Sequence, residues 1–362
     1  MKRVLLLFFL FIFLAIFLAP FTSLVLSGSL RDHTYRELIM HVIAVQETRG
    51  LSSKSDIAKK LFYYTAKNTL LNPGDVLPYE EKDLGYLING LVFCDYQADI
   101  LANLCAQRGI PARYCMLKDK TGVSPHTLTE IFLDGKWRVF DPAQICYYST
   151  ATGELATLQD LSQNPDLIFQ HKRMQKIKED SSDTYASLVS VYKKMFPLPQ
   201  PPQRSSSKIK RISVFDRIGF IYYALGGENF LRTYQDLYLK IRTKNMTPQQ
   251  KIYYLARNYQ LVQRLAEATA AYHSLIRDYP DSSYFNRAVI FLSFIYSDQK
   301  KDYRHAIKTL SLLLKEPRNT PYQKYAWYYI GKSYMSLGRN AEAKAYLEKS
   351  GLFDQIDPSL AN

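Results

Sequence analysis

Cys94-Asp95-Tyr96-Gln97-Ala98-Asp99-Ile100-Leu101-Ala102 and the later run His126-Thr127-Leu128-Thr129-Glu130-Ile131-Phe132-Leu133-Asp134-Gly135-Lys136-Trp137-Arg138-Val139-Phe140-Asp141-Pro142 decide the fold of this 362-residue chain. In the first run Ala98, Leu101, Ala102 and Cys105 share a helical face with Cys94. Gly109 stands where a helix commonly stops, with Arg108 in the last turn and Pro111 just beyond. The pattern predicts a helix that begins at Cys94. At such an N-terminus the unpaired N–H groups and the positive end of the dipole favour a thiolate, the form that attacks carbonyls. The same N–H groups are placed to serve as an oxyanion site.

In the second run Asp134-Gly135 separates two strand-like segments, a hairpin signal. Pairing outward from a two-residue loop sets Leu133 against Lys136, Phe132 against Trp137 and Leu128 against Asp141. His126 then points to the face of Leu128, one diagonal step of roughly 7–8 Å from Asp141. The hairpin by itself pairs an imidazole with a carboxylate. Asp141 would fix the ring tautomer and stabilise the imidazolium, leaving the other nitrogen for Cys94. Glu130 reads as a polar residue on an exposed strand position, and Trp137, Cys105 and Cys115 read as packing. Pairing of Cys146 with another cysteine is left open. The four cysteines make no C-x-x-C spacing, so neither a metal nor another cofactor is expected.

Taken in order, Cys94 with Ala98, Leu101 and Leu104, then Arg108-Gly109-Ile110-Pro111-Ala112-Arg113, His126 with Glu130, Gly135-x-Trp137 and Phe140-Asp141-Pro142 resemble the transglutaminase-like superfamily core over about residues 85–145. The resemblance implies a papain-like α+β fold, with the nucleophile on a helix packed against an antiparallel sheet that carries the His and Asp. It implies a Cys94-His126-Asp141 triad that opens an amide through a thioester. Water resolves that thioester in a peptidase or amidase, and an amine resolves it in a crosslinking enzyme. Family members often have glycine two residues before the cysteine and an aromatic residue just after it or after the histidine. Here those places hold Val92, Asp95, Thr127 and Leu128.

Around this core, residues 34–70 read as helical from Leu38, Ile39, Val42 and Ile43, then Ile57, Leu61 and Phe62, until Pro73, Gly74 and Pro78 break the pattern. Residues 156–195 return to helical composition. Pro197, Pro199, Pro201 and Pro202, followed by Ser205, Ser206 and Ser207, mark an extended linker at 196–211. Beyond it Tyr259 to Tyr296 and Pro280 to Pro317 share an interval of 37 residues, and Ala288 to Ala326 and Tyr296 to Tyr334 one of 38. These repeats resemble the tetratricopeptide family over about residues 246–350, with three units of which the first is the least regular, and an interval longer than that family's usual length of about 34. Turns between helices are expected to absorb the extra residues. The resemblance implies an all-α solenoid; such arrays make extended grooves for a protein partner, and Tyr253, Tyr254, Tyr284, Tyr325, Tyr328 and Tyr329 are candidates to line one, several of them as core residues too.

At the N-terminus Lys2 and Arg3 precede an apolar run from Val4 to about Leu26, long enough for the roughly 20 residues a bilayer requires. It reads as an uncleaved signal anchor in preference to a cleaved signal peptide. Lys2 and Arg3 then stay cytoplasmic and the bulk of the chain lies outside, periplasmic or extracellular. A net charge of +14 suits an anionic membrane surface or cell-wall polymer, and nucleic acid least for an exported chain. The expected organisation is an anchor at 1–28, a transglutaminase-like domain at 29–195, the linker, and a helical repeat domain at 212–362. The expected activity is that of a membrane-tethered thiol enzyme on a polypeptide substrate. The alternative is an inert domain of the same fold whose repeats recruit a protein.

Overall fold

The computed structural model describes residues 21–25, 27–71, 84–170, 203–204, 214–315 and 320–350. Most of the apolar N-terminal run lies outside these, as do Pro73, Gly74, Pro78, residues 171–195 and the prolines of the linker. Among the described residues no helix is long and apolar enough to cross a membrane.

Helix α1 (Gly28–Glu47) starts earlier than its apolar spacing suggested, because Ser27 caps it, its hydroxyl accepting from the Leu30 N–H at 3.1 Å. Gly50, with φ +82°, turns the chain into α2 (Lys54–Asn68), so the expected helical stretch is two helices. Strand β1 (Leu70–Leu71) pairs in parallel with β2 (Leu91–Val92), which follows the short α3 (Leu84–Asn89). Helix α4 (Cys94–Gln107) begins and ends as its sequence dictates. Gly109 takes φ +68° and the Ile110 N–H returns to the Cys105 carbonyl, closing the last turn.

The sheet comprises β3 (Ala112–Leu117), β4 (His126–Leu133), β5 (Lys136–Asp141), β6 (Cys146–Tyr147) and β7 (Gln203–Arg204), antiparallel throughout in the order β6-β5-β4-β3-β7. Asp134 and Gly135 both have positive φ, the requirement of a type I′ turn, and the register sets Leu133 against Lys136 and Phe132 against Trp137 as expected. Helix α4 lies on this sheet through buried Ala98, Leu101 and Cys105, and Thr129 on β4 donates to the Ala98 carbonyl. Two short helices, α5 (Leu158–Gln163) and α6 (Asp166–Gln170), follow. Strand β7 falls in the stretch expected to be only a linker; two of its residues cover the outer edge of β3.

Most of the remaining described residues are helical. Helix α7 (Val214–Arg242) breaks at Gly227, whose φ of +54° only glycine adopts cheaply. Three helix pairs come next: α8 (Pro248–Leu261) with α9 (Leu265–Asp278), α10 (Phe285–Phe294) with α11 (Tyr303–Leu310), and α12 (Thr320–Ser336) with α13 (Asn340–Ser350). Ala288, Leu292, Ala326, Ile330, Ala343 and Leu347, named by the repeat, are all buried. A π-helical turn, Ile295–Gln299, extends α10 and accounts for part of the longer interval.

One apolar core joins α1, α2 and α4 to Tyr234, Tyr238 and Leu261 of α7 and α8. Tyr35 stacks on Tyr238 with ring centroids 3.5 Å apart, and its hydroxyl donates to Asn258 Oδ1 at 2.8 Å. The helical half is therefore packed into the same interior as the sheet-bearing half.

Candidate active site

Phe93 is extended (φ −85°, ψ 167°) and no side chain caps the helix it introduces. Cys94 thus stands half-buried at the first helical position, where main-chain N–H groups and the helix dipole favour negative charge. Gln97, one turn on, directs its amide to the Thr69 carbonyl, which ties the first turn of α4 to the end of α2. Tyr96 stacks on Tyr86 of α3, centroids 3.9 Å apart, and fixes the same turn from the other side.

His126 opens β4 and Asp141 closes β5, and the hairpin brings them together: Nε2 of the ring lies 2.8 Å from Asp141 Oδ2. Both are buried, His126 with 5 % of its surface exposed and Asp141 with none. The Cys94 thiol also acts on the ring, and raises it. Burial opposes a charge on His126, but the Asp141 carboxylate, its hydrogen bond and the contact with Cys94 outweigh it and push the ring up to about 10. The three residues named from sequence stand together, at the starts of α4 and β4 and the end of β5.

Asp141 is itself held. Its Oδ2 also accepts from the Tyr148 hydroxyl at 3.3 Å, and its Oδ1 accepts from the Gln144 N–H at 3.1 Å across the turn after Pro142. Sequence reasoning passed over Tyr148. Its signal was a tyrosine just past Cys146, the residue that pairs with Asp141 on the neighbouring strand.

Glu130 departs from its expected exposed position. It is 2 % exposed, and Arg113 and Arg204 each reach its Oε2 with Nε at 2.8 Å. Arg113 also lies over the Trp137 ring, 3.8 Å from its centroid. A buried carboxylate needs such partners, and one of them arrives from β7. Cys105, Cys115 and Cys146 are buried and, like Cys94, free of disulfides. Burial pushes the Cys105 and Cys115 thiols up, Cys115 to about 12, so neither competes as a nucleophile. Among the described residues no cluster of His, Cys, Asp and Glu is arranged to hold a metal ion.

Of the groove candidates, Tyr253 and Tyr284 stack on each other, and the Tyr253 hydroxyl donates to the Asn89 carbonyl at 2.8 Å, which makes them packing residues.

Residues 43–142 match the sequence profile of the transglutaminase-like superfamily, and residues 252–282 and 325–350 match that of the tetratricopeptide repeat. The repeat matches fall on the first and third helix pairs. The pair extended by the π-helical turn is the unmatched one, although the first had looked least regular from sequence. No curated protein and no solved structure matches the chain.

Proposed function

We propose that this chain, a transglutaminase-like domain followed by tetratricopeptide repeats, is a membrane-tethered thiol enzyme that attacks peptide or glutamine-type amides with Cys94. The observation that carries the proposal is the bond of 2.8 Å between His126 Nε2 and Asp141 Oδ2, on a ring that the Cys94 thiol also raises. Cys94 Sγ adds to the amide carbonyl while main-chain N–H groups at the start of α4 receive the oxyanion. His126, held protonated by Asp141, gives its proton to the leaving amine, and a thioester remains. Water, deprotonated by the same ring, then releases the acid. We favour this hydrolytic outcome over transfer to an amine, and an extracytoplasmic site of action follows from the N-terminal apolar run with Lys2 and Arg3 before it.

Incubating the full chain and its Cys94→Ala variant with a mixed peptide library tests the reading. New α-amino or acid termini that depend on Cys94 support hydrolysis. Ammonia release with a crosslinked product would replace peptidase by transglutaminase. Absence of any Cys94-dependent product, with no acyl-enzyme trapped by mass spectrometry, would favour the inert domain. For that alternative, the engagement of Tyr253 and Tyr284 within the chain removes part of the surface a partner would use at the first repeats.

A further inference from the structure

The face of the repeats formed by α8 and α10 is not open: it grips the turn that delivers Cys94. Arg257, with no exposed surface, directs its guanidinium at the carbonyls of Asn68 (3.3 Å), Leu87 (2.5 Å) and Ile88 (3.4 Å), the last residues of α2 and α3. Those are helix-end carbonyls that have no partner within their own helices. The guanidinium also lies over the Phe291 ring, 3.6 Å from its centroid, and donates to Gln260 Oε1. At the next residue, Asn89, Arg287 of α10, 1 % exposed, donates to the carbonyl and the side chain, while Tyr253 donates to the same carbonyl. Gly90, at φ +75°, lets the chain pass so close to Phe291 that any Cβ there would overlap the ring.

From Gly90 only β2 and Phe93 separate this grip from the nucleophile. Strand β2 is paired with β1, which continues directly from the Asn68 held by Arg257. The first turn of α4 is tied through Gln97 to Thr69, between the two. Both strands leading to Cys94 are thus fixed at one end by arginines of the repeats, and a planar fork with several donors suits several carbonyls better than a point charge does.

We infer that Arg257 and Arg287 are positioning residues for the thiol chemistry, acting through the Asn68–Thr69 and Leu87–Gly90 turns, so that the first two repeats serve the enzyme's own nucleophile in place of a partner's peptide. The inference rests on the proposed function, since it assigns these residues to the same site. A shift of the α4 start by even 1 Å would take Cys94 out of line with His126 and lower its reactivity by about tenfold or more.

The test compares full-length wild type, Arg287→Met, Arg287→Lys, Tyr253→Phe and His126→Ala. Two quantities are measured: the rate of Cys94 alkylation by iodoacetamide at about pH 6, well below an ordinary thiol, and hydrogen exchange in peptides spanning 84–97. Expected are faster exchange in 84–97 and about tenfold slower alkylation in Arg287→Met. Arg287→Lys should recover part of the rate, and the isosteric Tyr253→Phe should show the same effect more weakly. Should Arg287→Met fail to fold, Tyr253→Phe carries the comparison with one hydroxyl removed. Faster exchange with alkylation unchanged in either variant would make the arginines purely structural and overturn the inference. Wild-type alkylation no faster than that of His126→Ala would overturn the proposed function and the inference together.

Discussion

Asp141 Oδ2 is shared by two donors, the His126 ring at 2.8 Å and the Tyr148 hydroxyl at 3.3 Å. The carboxylate that raises the imidazole is therefore fixed independently of it, and removing His126 does not leave Asp141 unpaired. Its opposite oxygen remains on the Gln144 N–H as well.

The first expectation concerns pH. Because the folded ring is raised to about 10 from an ordinary value of 6.5, the native state holds a proton that the unfolded state has lost between those limits. The stabilisation is fully present below about pH 6.5 and is lost as pH rises through the folded value. Carbon or nitrogen NMR of the His126 ring should report imidazolium at neutral pH. In Asp141→Asn burial is left opposed only by the thiol contact, so the ring should titrate far lower; a ring neutral at pH 7 in the wild type would contradict the arrangement.

Thiol accessibility gives a second. Cys105, Cys115 and Cys146 have 1 % exposure or less, whereas Cys94 is half-buried at a helix start. Brief treatment of the native protein with iodoacetamide should place one label, on Cys94, and labelling in strong denaturant should reach all four cysteines. Labelling of Cys115 before Cys94 would mean that the sheet opens more readily than its packing implies.

A third follows from Glu130, which carries two arginines of unequal exposure. Glu130→Ala leaves half-buried Arg113, 21 % exposed at its side chain, without its partner and should lower unfolding free energy by roughly 1–3 kcal/mol. Arg204 is 39 % exposed at its side chain, so Arg204→Ala should cost less than about 1 kcal/mol, since water replaces much of what is lost. Chemical denaturation of both variants checks the order; equal losses would show that β7 matters more than its two residues suggest.

Gly90 provides a fourth. Gly90→Ala combines an unfavourable φ with overlap on Phe291 and should destabilise by more than about 2 kcal/mol. Combining it with Phe291→Leu should cost less than the sum of the single changes, because the smaller side chain relieves the overlap. Strict additivity in a denaturant double-mutant cycle would place the strain elsewhere.

The site was legible where its determinants were local. Asp134-Gly135 set the hairpin register, and register alone brought His126 to Asp141. Gly109 and Pro111 likewise located the helix that starts at Cys94. Glu130 was misread because its alternation on β4 resembles a half-solvated strand, and Arg204, the partner that covers it, enters 74 residues later on a strand too short to show a period. Arg257 and Arg287 were overlooked for a related reason. Each interrupts an apolar stripe, and nothing nearby in sequence announces the carbonyls of α2 and α3 that they satisfy.

The stacked pair Tyr35–Tyr238 and the arginines on the Asn68–Asn89 carbonyls also bear on how such a chain can change over generations. A recombination joining this transglutaminase-like half to a different repeat array would uncover the tyrosine stack and leave a row of main-chain carbonyls without donors. Exchanging one half alone therefore carries a cost that exchanging both together does not, and the same holds for Asn89 with Arg287 and Asn258 with Tyr35.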